Sequence, residues 1–292
     1  MIIDAHNHPD WLGKDFEQCI EDMDRYHIDK TCILTWECPD NEYGPVNLGA
    51  WNVNLGLPGV FPASFEQCLI YKKRAPERFI LGFAPDPRHP AALERLQAAI
   101  DLYQVQMCGE IKLRMMYDNP DALALFRFAG KKNLPVTLHL ETPYYGEQKY
   151  PRSSWWYGGD MDTLERVLQK CPDTVFLGHA LAFWAAISGD ADSNPERYPK
   201  GTVTPGGRLP ELLRKYPNLY CDISAGSGLN AFARDLSFAA EFMDEFQDRI
   251  IYARDCFGNE HQELINSLKL NETALEKIYW KNISRLLGEK IN

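Results

Sequence analysis

The chain has 292 residues, 45% hydrophobic and 25% charged, a balance that supports a packed core and excludes wholesale disorder. Lys and Arg number 31 against 41 Asp and Glu, a net charge of −10, which argues against a nucleic-acid binder because phosphate contacts need a basic face. No run of about 18 apolar residues occurs, so no membrane helix is expected. The opening Met-Ile-Ile-Asp has neither the basic nor the apolar region of a signal peptide. The eight cysteines form no CxxC pair. Together these features predict buried free thiols and a cytoplasmic protein.

Short apolar runs alternate with amphipathic stretches from end to end. A first strand at Met1–His6 leads to a helix at Asp15–Tyr26, a strand at Lys30–Trp36 and a helix at Phe65–Ala75. A strand at Phe79–Ala84, a helix at Ala91–Tyr103, a strand at Gln106–Leu113 and a helix at Asp121–Lys131 follow. Next come a strand at Pro135–Leu140, a helix at Met161–Lys170 and a strand at Thr174–His179. The series closes with a helix at Leu209–Tyr216, a strand at Asn218–Ile223, a helix at Leu229–Phe246 and a strand at Ile250–Asp255. Each parallel strand needs a crossover, so the alternation predicts an α/β fold, a single (β/α)8 TIM barrel over residues 1–292. A doubly wound open sheet fits less well, because no Gly-rich phosphate turn follows the first strand.

Three long irregular segments, Glu37–Ser64, Glu141–Asp160 and Ala180–Gly207, follow strands two, five and six. In a barrel all three lie on the C-terminal face, where active sites are built. Their aromatic residues, Trp155, Trp156 and Trp184 among them, suit stacking on a ring. They equally suit packing on the barrel rim or a homo-oligomer interface. Ala225-Gly-Ser-Gly228 reads as a flexible turn into the next helix.

Chemistry concentrates at the strand ends. With a side-chain period of two, Asp4, His6 and His8 share one face, the barrel interior, and the two imidazoles reach its mouth. His139 ends Leu-Pro-Val-Thr-Leu-His, His179 ends Val-Phe-Leu-Gly-His, and Asp255 ends the last strand. Polar groups there are costly unless paired or bound to an ion, and four strand ends converging on ligand types point to a metal site. His27, His89 and His261 are assigned no role.

This ordered set, Ile-Asp-Ala-His6-Asn-His8, His139, Gly-His179 and Asp255, resembles the amidohydrolase superfamily, more closely its branch related to decarboxylases of aromatic and muconate acids. The resemblance runs from Ile2 to about Gly258 and implies metal ligation by His6, His8, His139 and Asp255. His179 would bind a second metal or hydrogen-bond the reacting water. On strand four, Glu110, Lys112 and Arg114 are expected on one face. Glu110 is similar to the metal-bridging carboxylate of the TatD-like deoxyribonuclease branch, and Lys112 to the carbamylated lysine of other branches. A Glu110–Lys112 or Glu110–Arg ion pair plugging the barrel is the alternative, with Glu110 preferred as ligand. Where relatives carry Gly-Ser before the last aspartate, this chain has Ala253-Arg254, and Arg254 should face the helix layer.

The resemblance implies a divalent-metal hydrolase acting on an ester, lactone or amide bond of a small molecule. The cofactor would be one or two ions of Zn²⁺, with Mn²⁺ the other candidate. Asp255 would serve as general base and His179 would orient the water, with Arg114, Arg152, Trp155 and Trp156 recognising substrate. The alternative is a metal-dependent non-oxidative decarboxylase of an aromatic or unsaturated acid. A non-catalytic ligand-binding barrel is the second alternative.

Overall fold

A computed structural model describes residues 1–39, 42, 61–142, 156–194, 196 and 198–288. Eight short strands lie in chain order: β1 Ile3–Asn7, β2 Lys30–Ile33, β3 Phe79–Leu81, β4 Cys108–Ile111, β5 Val136–His139, β6 Phe176–His179, β7 Leu219–Asp222 and β8 Ile250–Ile251. Every neighbouring pair is parallel, within the runs β1-β2-β3 and β4-β5-β6-β7-β8. Main-chain bonds from Phe83 N to Met107 O and from Gln106 N to Leu81 O, both 3.0 Å, join β3 to β4. At the other seam Ala5 N donates to Tyr252 O at 3.0 Å and Asp255 N to His6 O at 2.7 Å. The predicted TIM-barrel architecture is observed.

Helices α1 Phe16–Arg25, α2 Phe65–Arg74, α3 Ala92–Tyr103, α4 Pro120–Lys131 and α5 Met161–Lys170 form where the amphipathic pattern predicts them. Their starts are chemically marked. Asp15 with Gln18, and Ser64 with Gln67, build capping boxes, while Asn119 and Asp160 cap α4 and α5. Two expectations are corrected. The predicted helix Leu229–Phe246 is two helices, α8 Ala225–Ala233 and α9 Leu236–Glu245, following α6 Leu181–Ala185 and α7 Arg208–Lys215. Asp235 breaks it, because its carboxylate caps Phe238 N and also accepts from Val203 N at 3.0 Å. Residues 225–228 are the first turn of α8 rather than a flexible turn. Glycine is required there, since a Cβ on Gly228 would lie 2.0 Å from the Ile223 carbonyl oxygen.

Helices α10 Glu260–Ser267, α11 Glu272–Glu276 and α12 Asn282–Leu286 follow β8. Ile283 of α12 joins the residues filling the barrel: Ile3, Ala5, Cys32, Leu34, Ile80, Met107, Leu177, Ile251 and Ala253. A second, larger apolar layer lies between strands and helices. All eight cysteines are free, and Cys256 alone is not fully buried. Among the described residues no helix is long and apolar enough to cross a membrane.

Two irregularities position the site. With Ile3 and Ala5 pointing inward, simple alternation sends both Asp4 and His6 outward. The β1–β2 register slips between Asp4, opposite Thr31, and Asn7, opposite Ile33, and this bulge returns His6 to the interior. Asp4 therefore does not share the His6–His8 face. It accepts from Arg254 Nε at 2.9 Å instead. The β4–β5 register slips likewise between Cys108 and Ile111, so both of these pack outside while Glu110 faces the lumen.

Candidate metal centre

Four imidazoles and two carboxylates meet at the C-terminal mouth. The Nε2 atoms of His6 and His8 are 3.3 Å apart, and His8 Nε2 lies 3.5 Å from both Glu110 Oε2 and Asp255 Oδ1. On the other side of Glu110, Oε1 is 2.8 Å from His139 Nδ1 and 3.7 Å from His179 Nε2. Asp255 Oδ2 is 3.7 Å from His179 Nε2. Among the described residues three groups thus have ligand-like spacing: His6 with His8 and Asp255, Glu110 with His139 and His179, and His6 with His179 and Asp222.

The outward nitrogens are each engaged. His6 Nδ1 donates to Asp222 Oδ2 at 2.6 Å, and His8 Nδ1 to the Leu34 carbonyl at 2.9 Å. His179 Nδ1 meets Ser224 Oγ at 2.9 Å, and His139 Nε2 faces Glu141 Oε2 at 3.4 Å. A carbonyl can only accept, so His8 carries its proton on Nδ1 and turns an Nε2 lone pair into the site. A ring fixed this way is set up to bind a cation.

The carboxylates carry the fit test. Glu110 Oε2 and Asp255 Oδ1 are buried without a hydrogen-bond partner among the described residues. Buried unsatisfied oxygens of this kind are costly, and a cation satisfies them. The donor set of imidazoles and carboxylates fits a divalent transition metal. Burial alone would lower the His6 pKa, but the charges of Asp222, Asp255 and Glu110 raise it to about 10. The negative potential thus calls for positive charge at this point. Burial drives His179 down and Asp255 up. Against its own burial, Asp222 is held to about 2 by His6 and His179 and stays ionised. Lys112 and His139 overcome burial to hold Glu110 well below the usual range.

Of the sequence-predicted residues, His6, His8, Glu110, His139, His179 and Asp255 come together. Arg114 is not among the grouped ligand residues: it is half-buried, with its main-chain N donating to Glu42 Oε2 at 2.9 Å. Trp156 is half-buried, and Trp155 and Arg152 lie outside the described residues. Lys112 forms no ion pair with Glu110; its ammonium rests 4.0 Å from the Trp36 ring centroid. Arg254 faces the helix layer as expected, reaching Asp22 of α1 at 2.6 Å. Asp222, Ser224 and Glu141 were missed. Asp222 closes β7 as His139 closes β5, but the predicted strand ran on to Ile223, which hid the strand-end signal.

The family model described as Amidohydrolase matches residues 3–288. No curated protein matches the chain. Among solved structures, an uncharacterized TIM-barrel protein from Bordetella bronchiseptica is 17% identical, with a TM-score of 0.64 and 98% of each chain covered. A Pseudomonas putida protein named as a candidate 2-pyrone-4,6-dicarboxylic acid hydrolase is 10% identical, TM-score 0.62, covering 100% of this chain and 98% of that one. A dihydroxybenzoic acid decarboxylase from Polaromonas, with bound manganese and an inhibitor, is 13% identical, TM-score 0.58, covering 98% and 96%. At such identities the likeness speaks for the fold and leaves the reaction open. The family match over nearly the whole length does more: the chain belongs to the amidohydrolase family.

Proposed function

We propose that the protein is a two-ion metal-dependent hydrolase that cleaves an ester, lactone or amide bond of a small molecule. The observation that carries this reading is the place of Glu110, with Oε2 toward His8 and Oε1 toward His139. His6, His8 and Asp255 would hold one ion, His139 and His179 the other, with Glu110 shared between them. Divalent ions so held, Zn²⁺ or Mn²⁺, polarise a carbonyl and lower the pKa of water. Manganese is a candidate because the Polaromonas decarboxylase binds it.

The chain's own groups then divide the remaining work. Asp255 accepts the proton of the attacking water and passes it to the leaving group. Its burial-raised pKa suits a group that must both take and give a proton. Asp222, Ser224, Glu141 and the Leu34 carbonyl orient the imidazoles. The second reading, non-oxidative decarboxylation, is favoured by the Lys112 ammonium near the mouth, where a substrate carboxylate would meet it.

Elemental mass spectrometry on protein purified without chelators or a polyhistidine tag tests the proposal. It should find two equivalents of transition metal, and one in Glu110→Gln. Protein that takes up neither zinc nor manganese overturns the reading, and unchanged metal content in Glu110→Gln removes the shared carboxylate. Screening lactones, esters, amides and aromatic acids with carbon dioxide detection separates the two reactions.

A further inference from the structure

Trp11 lies just beyond the His6-Asn-His8 run, buried in a single 3-10 turn at Trp11–Gly13. Two of its contacts run to candidate ligands on opposite sides of the β8–β1 seam. The indole Nε1 donates to the Asp255 carbonyl at 3.0 Å, and the ring meets the His8 imidazole edge-on with centroids 4.7 Å apart. Asp255 itself stands in the left-handed region, with φ 47°, which a non-glycine residue holds only where its neighbours fix it. This indole grips its carbonyl, and the His6 carbonyl accepts from its N–H at 2.7 Å.

The backbone that carries Trp11 is bent against its preference on both sides. Asp10 and Leu12 each have φ 52°, and neither is glycine. Asp10 is pinned to α2: its N–H donates to the Tyr71 hydroxyl at 2.9 Å, that hydroxyl donates to Asp10 Oδ1 at 2.9 Å, and Gln67 Nε2 donates to Oδ2 at 3.1 Å. Leu12 is left 44% exposed. The turn therefore holds an unfavourable backbone and leaves a leucine in water while it places the indole inward. Trp36 and Trp184 act in a related way, with Nε1 donating to the Lys112 and Asp222 carbonyls, each at 3.1 Å. Carbonyls at the strand ends need donors from beyond the ladder. Trp11 supplies one and also packs on a candidate ligand ring.

We propose that Trp11 is a positioning residue for the ion held by His6, His8 and Asp255. Its ring sets the plane of the His8 imidazole and its N–H sets the Asp255 backbone. One side chain in the loop after β1 thus brings ligands from opposite ends of the chain into one set. Neither contact reaches His139 or His179, so the indole acts on one ion and leaves the other alone. This inference rests on the metal-centre reading above.

Zinc titration against a chromophoric chelator, well below the melting temperature, tests it on wild-type, Trp11→Phe, Trp11→Ala and Tyr71→Phe. Trp11→Phe keeps an aromatic face for His8 but has no N–H, and one of the two zinc ions should bind about tenfold more weakly. Trp11→Ala loses both contacts and should weaken that ion about a hundredfold. Tyr71→Phe leaves Trp11 in place and frees Asp10; it should weaken the same ion by less, and it carries the test if the Trp11 variants fail to fold. The other ion should keep its wild-type affinity throughout, whereas a merely structural tryptophan would lower the melting temperature and leave both affinities alone. Unchanged zinc affinity, or equal weakening of both ions, overturns the proposal. A wild-type protein holding a single zinc should show the same fall at that ion. Failure of the metal reading looks different: wild-type takes up no zinc. Hydrogen exchange of the metal-free proteins then decides. The Asp255 N–H should exchange faster in the variant than in wild-type, while the Leu140 N–H, bonded to the His179 carbonyl at 3.1 Å, should not. Equal protection of Asp255 in the two proteins overturns the proposal.

Discussion

Replacing Arg254 by methionine separates a structural cation from a substrate-binding one. Arg254 is 1% exposed. It donates to Asp4 at 2.9 Å, to Asp22 at 2.6 Å and to the Gly258 carbonyl at 3.0 Å. Asp4 and Asp22 are themselves 0% and 6% exposed, so the substitution leaves Asp4 buried without its counter-charge and Asp22 with Lys14 alone, at 3.6 Å. Breaking a buried pair from one side costs about 3–5 kcal/mol. Unfolding entropy near 2.1 cal/mol/K per residue gives roughly 0.6 kcal/mol/K for the 292-residue chain. The melting temperature should therefore fall by about 5–8 °C. Thermal melts followed by circular dichroism, with and without bound metal, read this directly. Arg254→Lys should fall between the two, because one ammonium cannot span both carboxylates. An unchanged melting temperature would refute the argument. Weakened substrate binding at unchanged stability would instead make Arg254 an anion clamp.

Asp222→Asn should weaken metal affinity about 10–100-fold in chelator competition, since Asp222 orients His6 from outside the ligand set; undiminished affinity would show that the carboxylate does no such work. Gly228→Ala forces a methyl group to within 2.0 Å of the Ile223 carbonyl oxygen and should lower stability by about 1–3 kcal/mol, so a neutral result in a denaturant titration would contradict the α8 packing. Glu165 accepts from Lys215 at 2.6 Å and Tyr216 at 2.8 Å, and these partners hold its pKa down to about 2 from 4.5. Its stabilisation is therefore present above the unfolded value and is lost as pH falls toward the folded one. Glu165→Gln should cost at most about 1 kcal/mol at neutral pH. The gap to wild-type should close between pH 4.5 and about 2; a gap independent of pH would place the effect in packing.

The barrel and most of the donor cluster were legible because a polar residue ending an apolar run stands out against its burial cost. His139, His179 and Asp255 all announce themselves that way. What stayed hidden depends on long-range pairing. An extra residue in β1 leaves no mark on local alternation, so Asp4 looked like a companion of His6 although it pairs with Arg254. The α8 start has the composition of a loop and becomes helical because Gly228 packs onto the Ile223 backbone. The break at Asp235 hides inside one continuous amphipathic pattern. Trp184 looked like a loop wall suited to stacking, yet it is buried, as is Trp36 at the end of the second predicted strand. Their indole N–H groups hold the carbonyls of Lys112 and Asp222.

The seam between β8 and β1 sets an order of assembly. Arg254 N donates to Asp4 Oδ1 across 250 positions of sequence, and the candidate ligands His6 and Asp255 are bonded through the same seam. A ribosome adding roughly 5–20 residues per second needs about 12–50 s to deliver the last strand after the first. Throughout that interval the histidines of β1 have no partner strand on one side and no aspartate to complete their set. Tight metal capture should therefore be a late event that reports a finished barrel, and chains stalled before Asp255 should carry none.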